Sequence, residues 1–73
     1  MFKVMASKYI GGRQRECGLP LPTYQDAVQR IAGISDALML LGYSYGPMYG
    51  KEYMVSMEKE DDYICLEIKE SEA

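Results

Sequence analysis

Four carboxylates, Glu58, Glu60, Asp61 and Asp62, fall close together in this chain, and clustered carboxylates are the donors that hard divalent cations prefer. They lack the alternating spacing and central glycine of a calcium loop, so the run reads as a solvated hairpin tip. There is no histidine, which removes imidazole metal sites and Ser-His or Cys-His nucleophile pairs. Cys17 and Cys65 lack the paired spacing of a zinc site. Ile10-Gly11-Gly12-Arg13 is glycine-rich but without the Lys-Ser/Thr ending of a phosphate-binding loop, and it reads as a hairpin turn. No catalytic residue, metal or cofactor is expected, and the chain reads as a non-enzyme.

Two groups of residues remain that could bind something. The first is the segment GYSYGPMYG, residues 42–50, in which Tyr45, Met48 and Tyr49 lie among glycines and a proline. Tyrosines bury large areas at low entropic cost and are enriched at interfaces. Tyr45, Met48 and Tyr49, with the carboxylates of Glu58, Glu60, Asp61 and Asp62, form the expected protein-binding surface. The second group is Lys8, Arg13 and Arg15, suited to phosphate or an acidic patch, or simply to keeping an edge strand soluble. Formal charge divides the same way. Residues 1–42 carry five cations against three carboxylates, whereas residues 43–73 carry three against eight. An acidic second half argues against a general nucleic-acid surface. A small nucleic-acid-binding domain using Lys8, Arg13, Arg15 and exposed tyrosines is the alternative reading.

These groups must be positioned by a small set of elements. Thr23 to Gly42 predicts a helix, with Thr23 as a hydroxyl N-cap and Asp26 three residues on. Its expected buried face is Tyr24, Ala27, Val28, Ile31, Ile34, Leu38 and Leu41. Gly42 is the expected left-handed stop, with Tyr43 folding back on Leu38. Gly33 is expected to permit close helix–sheet packing. Before the helix, Phe2 to Ile10 alternates as a strand with Phe2, Val4 and Ala6 on one face. Arg13 to Leu19 predicts a poorer edge strand, and Leu19-Pro20-Leu21-Pro22 an extended connector. Glu52 to Lys59 and Tyr63 to Lys69 predict a hairpin pairing Met57 with Ile64, Val55 with Leu66, Tyr53 with Ile68 and Lys59 with Asp62. Tyr53 is expected to be buried, and Tyr45 and Tyr49 exposed outside regular structure. The fold class is therefore α+β. A small antiparallel sheet of about four strands, in ββαββ order, carries one helix on one face.

With 73 residues the chain makes one domain, 1–73, with a thin core. No apolar run approaches the ~20 residues of a membrane span, and the N-terminal ten residues alternate and carry charge, unlike a signal peptide. A cytoplasmic protein with reduced cysteines is expected. Open strand edges make a homodimer a further expectation. Small size, an acidic half and no catalytic equipment resemble, in general character, the inhibitors encoded by phages and mobile elements, a class that includes the anti-CRISPR proteins. That resemblance implies an inhibitor or modulator that occupies the surface of a nucleic-acid-processing partner.

Overall fold

In the computed structural model, which describes residues 1–9, 12–46 and 54–70, the chain runs β1 (Phe2–Ser7), β2 (Arg15–Glu16), α1 (Tyr24–Leu40), β3 (Ser44–Tyr45), β4 (Met54–Lys59) and β5 (Asp62–Glu70). The strands form one antiparallel sheet in the order β2-β1-β5-β4-β3. The helix lies on one face, over a core of Val4, Ala27, Ile31, Val55, Met57, Leu66 and Ile68. The α+β class holds, with two corrections: among the described residues there are five strands rather than about four, and their order is ββαβββ rather than ββαββ. The added strand, β3, lies in the stretch read from sequence as loop. Gly42, at φ +98°, turns the chain back so that Ser44 and Tyr45 meet Glu58 and Met57. Two residues are too few to show an alternating pattern.

The expected strand from Arg13 to Leu19 shrinks to Arg15–Glu16 at the sheet edge. Gly18, at φ +81°, takes the chain out of the ladder. Farther along, Leu21 lies between two prolines that cannot donate, and its own amide returns to the sheet. Leu21 and Phe2 exchange two backbone hydrogen bonds of 2.7 Å, an isolated bridge. The β1–β2 turn is closed by the Gly12 amide donating to the Tyr9 carbonyl at 2.9 Å. Strand β4 pairs with β5 in the expected register, with Met57 opposite Ile64, Val55 opposite Leu66 and Lys59 opposite Asp62. Tyr53 lies outside the described residues.

Helix α1 begins and ends as its termini dictate. The Asp26 amide donates to Thr23 Oγ1 at 3.1 Å, satisfying one of the unpaired N–H groups of the first turn. At the other end the Tyr43 amide donates to the Leu38 carbonyl and the Gly42 amide to the Met39 carbonyl, both at 3.0 Å. These are the two bonds of a Schellman termination. No basic residue occupies the last helical turn. Lys59, from the far hairpin, supplies the charge instead, donating to the Leu41 carbonyl at 2.7 Å where the helix dipole is negative.

The buried stripe is narrower than the apolar pattern suggests. Ala27, Ile31 and Ser35 are fully buried, and Val28, Ile34 and Leu38 half-buried. Tyr24 and Leu41, expected on the buried face, are exposed. Tyr24 sits at the helix edge, its ring set edge-on to Phe2 at 5.8 Å, and Leu41 is already the C-cap. Gly33 does not pack on the sheet: it is exposed, and a Cβ there would meet nothing within 4 Å. Gly33→Ala is therefore expected to stabilise the domain by about 1 kcal/mol, through helix propensity alone. A urea midpoint unchanged or lowered would contradict this. Ser35 is 1% exposed, and its hydroxyl has no hydrogen-bond partner among the described residues. Ser35→Ala removes an unsatisfied buried hydroxyl and is expected to raise stability by roughly 1 kcal/mol, read as a higher melting midpoint.

Candidate interaction surfaces

Cross-strand partners lie on the same face of a sheet, so the register assigns each side chain its side. Tyr45, opposite the core residue Met57, stands on the helix side at the β3 edge. It is 56% exposed. The expectation of exposure agrees with its position, whereas the expectation that it lies outside regular structure is corrected. Met48 and Tyr49 lie outside the described residues, so their place beside it is not part of this geometry. A short way upstream, Met39 is 47%, Leu40 89% and Leu41 63% exposed. The end of α1 and the β3 edge, joined by the Gly42 turn, thus present large apolar side chains at one end of the molecule.

The apolar period predicts Leu41 in the core, whereas Leu41, Met39 and Leu40 are all exposed. A signal was available. Leu38-Met39-Leu40-Leu41 is four consecutive apolar residues, and at about 100° per residue no single helix face can hold them all.

The hairpin tip adjoins this end. Glu58, Glu60, Asp61 and Asp62 are all exposed. A Cβ on Gly46 would lie 2.8 Å from Glu58 Oε1, so the Glu58 carboxylate reaches across the β3 edge one residue from Tyr45. Asp62 Oδ2 accepts from the Tyr43 hydroxyl at 3.3 Å. Lys59 is drawn to the helix end and lies 5.8 Å from the Tyr43 ring centre, which leaves the tip strongly acidic. Among the described residues no group of three His, Cys, Asp or Glu side chains is arranged to hold a metal ion.

The second group from the sequence is also assembled. Lys8, Arg13 and Arg15 line an open groove of about 360 Å³ with Ala6, Ser7 and Ile64. The register explains it. Arg15 stands opposite Ala6 on the helix side, beyond the part of the sheet that α1 covers.

On the helix-free face the register aligns Ser7, Cys65 and Ser56 across β1, β5 and β4, and all three are buried. The Ser7 hydroxyl donates to the Tyr9 carbonyl at 3.0 Å. Burial, with the nearby Glu67 charge adding to it and Ser7 opposing, raises the Cys65 thiol above its ordinary 9.0. Burial likewise raises Cys17, partly offset by Arg30. Tyr43 is raised from 10.0 by desolvation and by the charge and hydrogen bond of Asp62. In all three the folded chain holds its proton to higher pH than the unfolded chain does. Their contribution to stability is thus complete below the unfolded values and declines as pH rises above about 9. Urea midpoints at pH 8 and 10.5 should show the lower value at 10.5, and the reverse order would contradict the assignment.

No helix among the described residues is long and apolar enough to cross a membrane. Comparison of the chain with protein families, with curated proteins and with solved structures returned no match.

Proposed function

We propose that this chain is a non-enzymatic protein-binding module that contacts its partner through the end of α1, the β3 edge and the acidic hairpin tip. The observation that carries the reading is the exposure of Leu40, Leu41 and Tyr45 together, beside the carboxylates of Glu58, Glu60, Asp61 and Asp62. A small monomer gains nothing by presenting several large apolar side chains at one end, whereas an interface needs an apolar centre and a polar rim. The carboxylates match a partner with a basic surface, such as the phosphate-binding groove of a nucleic-acid-processing enzyme. Their main effect is on encounter rate and register. Such a module acts as an inhibitor or modulator by occupation, in the manner of phage- and mobile-element-encoded proteins. Its two free cysteines suit a cytoplasmic setting. A homodimer through the same edge is the competing occupant, and light scattering separates the two.

The test is affinity capture from the source lysate with three baits of equal melting midpoint: the native chain, Leu40→Ser/Tyr45→Ser, and Glu60→Lys/Asp61→Lys. The expected result is one stoichiometric partner on the native chain, lost from the apolar double variant and reduced on the charge variant. That partner should elute as salt is raised, because exposed charge pairs are screened. No stoichiometric partner, or equal capture by all three baits, would refute the proposal.

A further inference from the structure

Toward the other edge of the sheet, the β2 side, the groove lined by Lys8, Arg13 and Arg15 shares no residue with the surface just proposed. Three like charges converge there around the apolar floor of Ala6 and Ile64, with Ser7 at its margin. Elsewhere in the described residues, cations near the sheet and helix have partners. Lys3 meets Glu16 at 3.2 Å, Lys69 meets Glu67 at 3.8 Å, Arg30 donates to two carbonyls, and Lys59 donates to the helix end. Lys8, Arg13 and Arg15 have no ion-pair partner among the described residues. All three are exposed, and like charges gathered in one concavity raise the local concentration of anions.

We infer that this groove is a binding site for a compact anion, a phosphomonoester group carried on a small apolar or planar body. The chemistry selects that class in three ways. Two guanidinium groups offer planar forks suited to paired phosphate oxygens, and the lysine adds a point charge. The volume, about 360 Å³, lies at the small end for ligand sites, and Ala6 and Ile64 give an apolar body somewhere to rest. The third consideration limits the length of the ligand. Ile64 lines the groove, and Asp62 lies two residues back on the same strand β5, on the same side, at the start of the acidic tip. A phosphate in the groove is matched by three cations. A long polyanion extending past it meets Glu60, Asp61 and Asp62 within about one Debye length. The site therefore suits a free phosphomonoester or the terminal phosphate of a strand, and disfavours the interior of a nucleic acid.

Amide chemical shifts of the full chain, titrated at low salt, test this with four probes: inorganic phosphate, adenosine monophosphate, adenosine, and a single-stranded oligonucleotide with or without a terminal phosphate. Saturable shifts at Ser7, Arg15 and Ile64 are expected with phosphate and the monophosphate, tighter with the latter, and absent with adenosine. Arg13→Gln and Arg15→Gln should each weaken binding at least about threefold, while Lys69→Gln, which lies on the helix-free face, should leave it unchanged. An oligonucleotide that binds only with its terminal phosphate supports the site and identifies the strand end as its source. Absence of saturable shifts, binding unaffected by the arginine substitutions, or equal binding of oligonucleotides with and without the terminal phosphate would overturn it. Shifts that follow protein concentration instead of phosphate would also overturn it, by identifying the acidic tip of a second copy as the occupant. Circular dichroism of each variant guards against unfolding. Because Leu40 and Tyr45 lie outside the groove, failure here leaves the proposed protein interface standing, and the reverse.

Discussion

Ile31→Ala is expected to lower stability by about 2–5 kcal/mol, the range for removing most of a large buried aliphatic side chain. Ile31 is 1% exposed and sits in the core cluster with Val4, Val55, Met57, Leu66 and Ile68. It is the largest side chain that α1 buries completely, since its companions there are Ala27 and Ser35. Val28, Ile34 and Leu38 pack against the same cluster but are only half-buried. Neighbours held in a hydrogen-bonded sheet cannot collapse fully into the space left, so the cavity adds to the lost transfer energy. For a domain this small the upper end of that range approaches the whole stability. Gln29→Ala, two residues away on the exposed side, is the matched control and should be nearly silent. Urea melts that ranked Gln29 above Ile31 would place the wrong face of α1 against the sheet.

The second large effect is expected at Gly18, where the cost comes from backbone and clamp together. Gly18 has φ +81°, in the left-handed region where an alanine costs about 1–2 kcal/mol. An added Cβ would also lie 2.7 Å from Arg30 Nη1. That nitrogen donates to the Cys17 carbonyl at 3.2 Å and the Leu19 carbonyl at 2.6 Å. Arg30 thereby ties the segment on both sides of Gly18 to the helix. Gly18→Ala must displace the guanidinium as well as strain the backbone, and is expected to cost about 2–4 kcal/mol in total. Arg30→Ala isolates the clamp. In the Arg30→Ala background, Gly18→Ala should cost only the backbone part, about 1–2 kcal/mol. Equal costs in the two backgrounds would show that clamp and turn are independent.

Neither the Arg30 clamp nor the Lys59 cap was legible in the sequence, where Arg30 counted only as a charge and Lys59 only as the cross-strand partner of Asp62. Each links groups far apart in the chain: Arg30 lies 11 positions from Leu19, and Lys59 18 positions from Leu41. Local pattern carries no information about such pairs. The same holds for Leu41, which continues the apolar period of α1 but falls on the cap, where the helix has stopped covering the sheet. Gly33 misled for a related reason. A glycine in a helix suggests close packing, yet α1 turns this one to solvent, and only the placement of the helix decides that.

What the amino-acid sequence determined by itself was local and periodic. The Thr23 cap, the Gly42 termination and the β4–β5 register follow from hydrogen-bonding groups and side-chain alternation within a few residues of one another. A one-residue slip of that hairpin would have turned Glu67 toward the core, and this energy penalty is readable without coordinates. The antiparallel sheet with a single helix followed from those elements, because each apolar face needed another to cover it. The tertiary structure alone decided the strand order, in which β1 and β5 from opposite ends of the chain pair at the centre and the two shortest strands form the edges. With that order it decided the surfaces too. Lys8, Arg13, Arg15 and Ile64 share a groove because β2, β1 and β5 are neighbours, and Leu40 and Tyr45 share an end because β3 returns along β4. Charge and residue type could nominate these side chains, but which of them meet depends on pairing between distant segments, and that is settled by packing the whole chain at once.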